Sequence, residues 1–172
     1  MQSLWDISPP VDAHSPVFPG DTPYRQEWAA QIAPGCPVNV SSLTLSPHVG
    51  AHADAPLHYD PEGTPVGALD LEPYLGRCRV IHAIGKRPLV EWRDLEHAIA
   101  ERDLPPRVLV RTYDRAPLNR FDDALAALAP DTIERLADAG VKLVGIDTAS
   151  IDPADSKALD RHQGIRPRGR RQ

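Results

Sequence analysis

Residues 48–58, HVGAHADAPLH, carry three histidines and one aspartate, all at even positions. In an extended segment side chains alternate between faces, so His48, Gly50, His52, Asp54, Pro56 and His58 share one side. Val49, Ala51, Ala53, Ala55 and Leu57 take the other. Three imidazoles and a carboxylate on one face have a plain chemical use. Imidazole nitrogen and carboxylate oxygen are donors for zinc and other borderline divalent ions, at about 2 Å, and Mn²⁺ could use similar ligands. A carboxylate between imidazoles can also bridge two ions, and paired ions clamp and activate a hydrolytic water. Gly50 suits a place where backbone must come close to a metal or ligand. A helical reading would reduce His48 and His52 to neighbours on a solvated face, but Gly50 and Pro56 interrupt it and Pro47 precedes it. The pattern points to metal-assisted hydrolysis. His14 in a Pro-rich loop, His82 in an alternating run and His97 on a solvated helix face read as structural or incidental.

The elements that must position this segment are short. Upstream, strand-like pieces alternate with turns, among them Pro19-Gly20-Asp21. Residues 38–45, VNVSSLTL, have strand patterning with a change of face near Ser41-Ser42 that suits a bulge. Residues 78–85, 107–112 and 141–147 are β-branched runs of buried-strand type, the first taking in Cys78. Residues 91–100 place Trp92, Leu95, Ala98 and Ile99 at helical spacing, and Pro105-Pro106 stops any extension. A second helix is expected over residues 131–139, with Asp131 as N-cap, Glu134 completing a capping box and Gly140 at C′. Residues 121–128 have helix-friendly composition but are short, with Pro130 close behind. The order is a β-rich first half, then strand, helix, strand, helix, strand. That is a mixed α/β domain.

Composition sets the remaining bounds. The 172 residues suffice for one ordinary domain. A net charge of −5 argues against a nucleic-acid partner. The 19 prolines are about twice average usage, which favours stiff loops over long helices. Two cysteines, Cys36 and Cys78, without C-x-x-C spacing read as reduced thiols of a cytoplasmic protein. The opening MQSLWDISPP lacks the basic and apolar regions of a secretory signal, and no apolar run reaches membrane-spanning length. A soluble intracellular protein with no membrane partner is expected.

HVGAHADAPLH resembles the His-x-Gly-Thr-His-x-Asp-x-Pro-x-His signature of the cyclase-like metal hydrolases, with Ala51 where Thr is common. LWDISPP, VFPGDTP, VNVSSLTLSPHVGAHADAPLHYD, YLGRCRVIHAIG, RVLVRTY and GVKLVGIDTASIDP, in that order, are similar to the bacterial kynurenine formamidases (arylformamidases) within that family. The resemblance runs from Leu4 to about His162. It implies a swivelling β/β/α fold, a mixed sheet with flanking helices, assembled as a homodimer. It implies zinc-dependent hydrolysis of N-formyl-L-kynurenine to L-kynurenine and formate in tryptophan breakdown, with two Zn²⁺ per subunit. Carried over residue by residue, His48, His52 and Asp54 bind the first zinc, and Asp54 is shared with a second. His58 is the proton donor and acceptor, with a fourth-ligand role as the alternative. Phe18 contacts substrate. SKALDRH resembles Ser-Lys-x-x-Asp-x-His, which makes His162 a ligand of the second zinc.

After His162 the resemblance stops. The family's next zinc ligand, a Glu, would fall beyond Gln172, and QGIRPRGRRQ stands in place of an apolar helical stretch. A hydrolase domain over residues 1–162, incomplete at its C-terminus, followed by a basic disordered tail over 163–172, is therefore expected. An abrupt change to Arg, Pro and Gly is what a GC-rich gene gives when read out of frame, so a frameshift or premature stop is the expected origin. Weak occupancy of a second zinc site and low activity would follow.

Overall fold

The computed structural model describes residues 4–153. It divides into two compact units, Met1–Asp54 with Pro117–Phe121, and Ala55–Ala116 with Asp122–Gln172. The secondary structure is mixed α/β, as the order of sequence patterns suggests. The expected boundary at residue 162 and the tail over 163–172 lie outside the described residues.

The first unit holds β1 (Arg25–Ala30) and β2 (Val40–Thr44), paired antiparallel with Arg25 opposite Thr44 and Trp28 opposite Ser41. The register then slips so that Ala30 faces Val40, leaving Ala29 as the extra residue of a bulge. The irregularity expected at Ser41-Ser42 thus falls at that level of the ladder, but on the partner strand. No strand is singled out by sequence over β1, because Arg25, Gln26 and Glu27 are poor strand formers. Pairing with β2 supplies the order that local propensity does not.

In the second unit β3 (Arg79–His82), β5 (Arg107–Arg111) and β7 (Leu143–Ile146) form a parallel sheet in the order β3-β5-β7. Leu89–Val90 (β4) and Ala127–Leu128 (β6) form a second parallel pair. Parallel neighbours need crossovers, and α1 (Trp92–Ile99) and α2 (Pro130–Asp138) lie on those connections. The central strand β5 buries Val108 and Val110 on one face, in a core with Ile81, Leu95, Leu128, Ile133 and Leu136. Cys78 falls one residue before β3 and is exposed, not inside the strand as its neighbours suggest; both cysteines are free thiols.

The helix boundaries show which local signals win. Helix α1 has a full capping box between Glu91 and Asp94, and it buries Leu95 and Ile99 as its spacing requires. Burial pushes the Asp94 carboxyl up, but the Glu91 N–H and the Lys86 ammonium together hold it below its ordinary value. In α2 Asp131 is not the N-cap, and no side chain caps the helix. Pro130 takes the first helical position, where its fixed φ fits and no N–H is missed, so the helix starts one residue earlier at the Ala129 cap. Asp131 instead pairs with Arg135 at 2.9 Å. Gly140 does end the helix, at φ +90°, with Val141 N–H on the Leu136 carbonyl and Gly140 N–H on that of Ala137.

Two polar ties fix the carboxyl ends of the parallel sheet. Asp147, just past β7, accepts the N–H and hydroxyl of Thr112 at 2.8 and 2.7 Å and the N–H of Tyr113 at 3.1 Å. Asp122 accepts from Arg87 at 2.8 Å and from the Tyr113 hydroxyl at 2.9 Å. The Arg87 hydrogen bond holds the Asp122 carboxyl below its usual range, and desolvation with the Asp122 bond pushes the Tyr113 phenol up to about 12.

Candidate metal centre

Residues 48–58 are not a strand. Strand β2 ends at Thr44, and turns and bends follow over residues 47–51. Pro47 has no N–H for a ladder, and Gly50 adopts φ +70°, a left-handed conformation that side chains resist. A Cβ on Gly50 would also stand 2.6 Å from Val11 Cγ2. Pro56 then starts a single 3₁₀ turn, Pro56–His58. The shared face expected from even positions therefore does not exist. A turn gathers the side chains instead.

It gathers them around Asp54. His48 Nδ1 lies 2.9 Å and His52 Nε2 3.6 Å from the same carboxylate oxygen, Oδ1. The two rings meet edge to face, centroids 5.0 Å apart. His52 Nδ1 is 3.0 Å from the Gly50 carbonyl. With that nitrogen as donor, the lone pair of His52 sits on Nε2, on the side of Asp54, which is how ligating histidines are oriented. All three side chains are partly buried. His58 ends the 3₁₀ turn that follows, in the second unit.

The two separations on Asp54 Oδ1 are compatible with a tetrahedral divalent ion. Two donors each about 2.0–2.1 Å from such an ion stand about 3.3–3.4 Å apart. The 2.9 and 3.6 Å separations bracket that value, so small side-chain shifts accommodate an ion.

Phe18 sits in the turn closed by Asp21 N–H on the Phe18 carbonyl at 2.9 Å, with its ring edge-on to Phe121 at 5.3 Å. It is 39% exposed, enough to present a ring face. The turn carrying His58 is held by Asp60 N–H on the Pro56 carbonyl at 2.9 Å and Leu57 N–H on that of Thr64 at 3.3 Å. His162, with Ser156, Lys157 and Asp160, lies outside the described residues. His14, His82 and His97 are exposed, in line with their incidental reading. Sequence reasoning misses Ser46, Asp21 and Phe121. Pro19-Gly20-Asp21 shows only as a turn, and nothing in the pattern marks a buried serine two residues before His48.

Comparison with known proteins bears on this arrangement. A family model described as "Putative cyclase" matches residues 5–153. A kynurenine formamidase of Paracidovorax citrulli is 70% identical over 170 residues, covering 98% of this chain and 79% of that protein. One of Bordetella pertussis is 63% identical over 166 residues, 96% and 78% of the two chains. Among solved structures, a potential metal-dependent hydrolase with cyclase activity superposes with TM-score 0.74 at 22% identity, over 94% of this chain and 75% of that one. An isatin hydrolase bound to the product analogue thioisatinate also gives 0.74, at 16% identity and the same coverage. At these identities the two structures speak for the fold.

Proposed function

The chain belongs to the cyclase family, among its kynurenine formamidases, and from that membership we propose the following reading of the site. The reaction is hydrolysis of the formyl amide of N-formyl-L-kynurenine to L-kynurenine and formate. The observation that carries the chemistry is the meeting of two imidazoles on one carboxylate oxygen, at 2.9 and 3.6 Å.

His48, His52 and Asp54 would hold a zinc ion. When bound, zinc polarises a carbonyl oxygen and lowers the pKa of water toward neutrality. The Gly50 carbonyl keeps the His52 ring turned for ligation. His58 takes the proton released as water adds to the formyl carbon, then delivers it to the arylamine nitrogen as the C–N bond breaks. The nitrogen leaves as a neutral amine, which a proton donor makes possible. Its exposed position at the end of a turn suits a group that exchanges protons, and favours the shuttle role over that of a fourth ligand. Phe18 offers an exposed ring to the substrate's aryl group, braced edge-on by Phe121. His162 is the candidate ligand for a second Zn²⁺. We assign the enzyme to the cytoplasm, in keeping with its two free cysteines, and as a homodimer from the family resemblance alone.

The test is release of kynurenine from N-formylkynurenine by the purified chain, before and after chelation and after zinc is restored. Activity lost on chelation and regained with zinc supports the reading. Full activity in rigorously metal-free protein overturns it.

A further inference from the structure

The structure assigns to Asp21 and Ser46 a positioning role: a part-buried relay that sets the backbone of His48. The inference rests on His48 being a metal ligand. Ser46 is 2% exposed, unusual for a serine in a loop, and it is bonded on every side. Its hydroxyl donates to Asp21 Oδ2 and accepts the His48 N–H at 3.1 Å. Its own N–H donates to the Thr22 carbonyl at 3.1 Å, and its carbonyl accepts the Val49 N–H at 3.2 Å. The other Asp21 oxygen, Oδ1, accepts the Thr22 N–H at 2.7 Å. A hydroxyl that donates to an ionised carboxylate becomes a better acceptor, so the two bonds strengthen each other.

The consequence is geometric. His48 carries the imidazole nearest Asp54, and it lies in a turn without a strand ladder to hold it. The Asp21–Ser46 relay replaces that ladder. The turn that begins at Phe18 is closed by the Asp21 backbone N–H, so the residue whose carboxylate holds Ser46 also ends the turn from which the candidate substrate ring projects. One carboxylate–hydroxyl pair, with its serine buried, thereby links the metal-side residue to the turn that carries the substrate-side ring. Neither residue touches the reacting atoms.

Zinc affinity of the full chain, by competition with a chromogenic chelator, and the visible spectrum of the Co²⁺-substituted protein test this. Ser46→Ala is expected to weaken zinc binding about tenfold, the lower end of the usual loss when a residue supporting a ligand is removed, and to alter the cobalt bands. Ser46→Thr, which keeps the hydroxyl, is expected to restore most of the affinity. Asp21→Asn, which keeps an acceptor oxygen but not the charge, should fall between. The double variant should lose no more than Ser46→Ala alone, because both act through one chain of bonds. A Ser46→Ala protein with lower thermal stability but wild-type zinc affinity and cobalt spectrum overturns the proposal and leaves Ser46 a purely structural residue. Wild-type affinity in His52→Ala would overturn the metal reading itself, and the relay with it.

Discussion

Gly63→Ala tests the placement of His58 without touching it. A Cβ on Gly63 would lie 2.4 Å from the Pro56 carbonyl carbon, 2.5 Å from its oxygen and 2.6 Å from the Leu57 nitrogen. Those are backbone atoms, so no rotamer change relieves the clash. The first distance is about 1 Å short of ordinary carbon–carbon contact. The Pro56–Leu57 peptide must therefore move by roughly that amount. Asp60 N–H on Pro56 and His58 N–H on Ala55 tie the turn together, so His58 moves with it. Displacing a catalytic group by about 1 Å costs on the order of 100-fold in rate. Overpacking of this kind also costs about 1–3 kcal/mol of stability. We expect kcat for N-formylkynurenine to fall about 100-fold in a folded variant, with zinc affinity changed by less than about threefold. Gly67→Ala is the control, because its Cβ would meet no atom within 4 Å. A folded Gly63→Ala enzyme with wild-type kcat would refute the placement of His58.

Gly50→Ala combines a left-handed φ of +70° with a 2.6 Å approach to Val11, and should destabilise the protein by about 2 kcal/mol in urea unfolding. A change below about 0.5 kcal/mol would mean that the turn is not held as described. Asp147→Ala strips the acceptor from the N–H groups of Thr112 and Tyr113, and a loss of about 2–3 kcal/mol is expected on the same assay. An unchanged midpoint would show that the tie is dispensable. The Arg87–Asp122–Tyr113 contacts predict stability losses at both ends of the pH scale. The Tyr113 phenol, raised to about 12, contributes fully below the ordinary tyrosine pKa of about 10, and that stability is lost as pH climbs through about 12. The Asp122 carboxyl, held low by Arg87, contributes fully above about pH 3.9, and that stability is lost as pH falls through its lower folded value. Asp122→Asn should flatten the acid limb of a stability–pH curve. Superimposable curves would contradict the assignment.

The parallel sheet and both helices are legible because each depends on local pattern: β-branched runs for β3, β5 and β7, and Leu95 and Ile99 at helical spacing in α1. Strand β1 and the two-residue strands β4 and β6 are not, since partner strands create them. The start of α2 goes to Pro130 at the first helical position, a signal that competes with the Asp131 and Glu134 capping pattern and wins. At the site, residue types are readable and geometry is not. His48, His52 and Asp54 do meet, but through a turn with a left-handed Gly50 and not on the strand face that alternation implies. Ser46 and Asp21 stay hidden because their link spans 25 residues and depends on the tertiary fold.

X-ray absorption at the zinc edge of the zinc-loaded protein addresses the metal centre most directly. Ligation by His48, His52 and Asp54 predicts a first shell of imidazole nitrogens and carboxylate oxygen at about 2.0–2.1 Å, with the outer-ring scattering of at least two histidines. A shell with sulfur at about 2.3 Å, from Cys36 or Cys78, or one without histidine scattering, would contradict it.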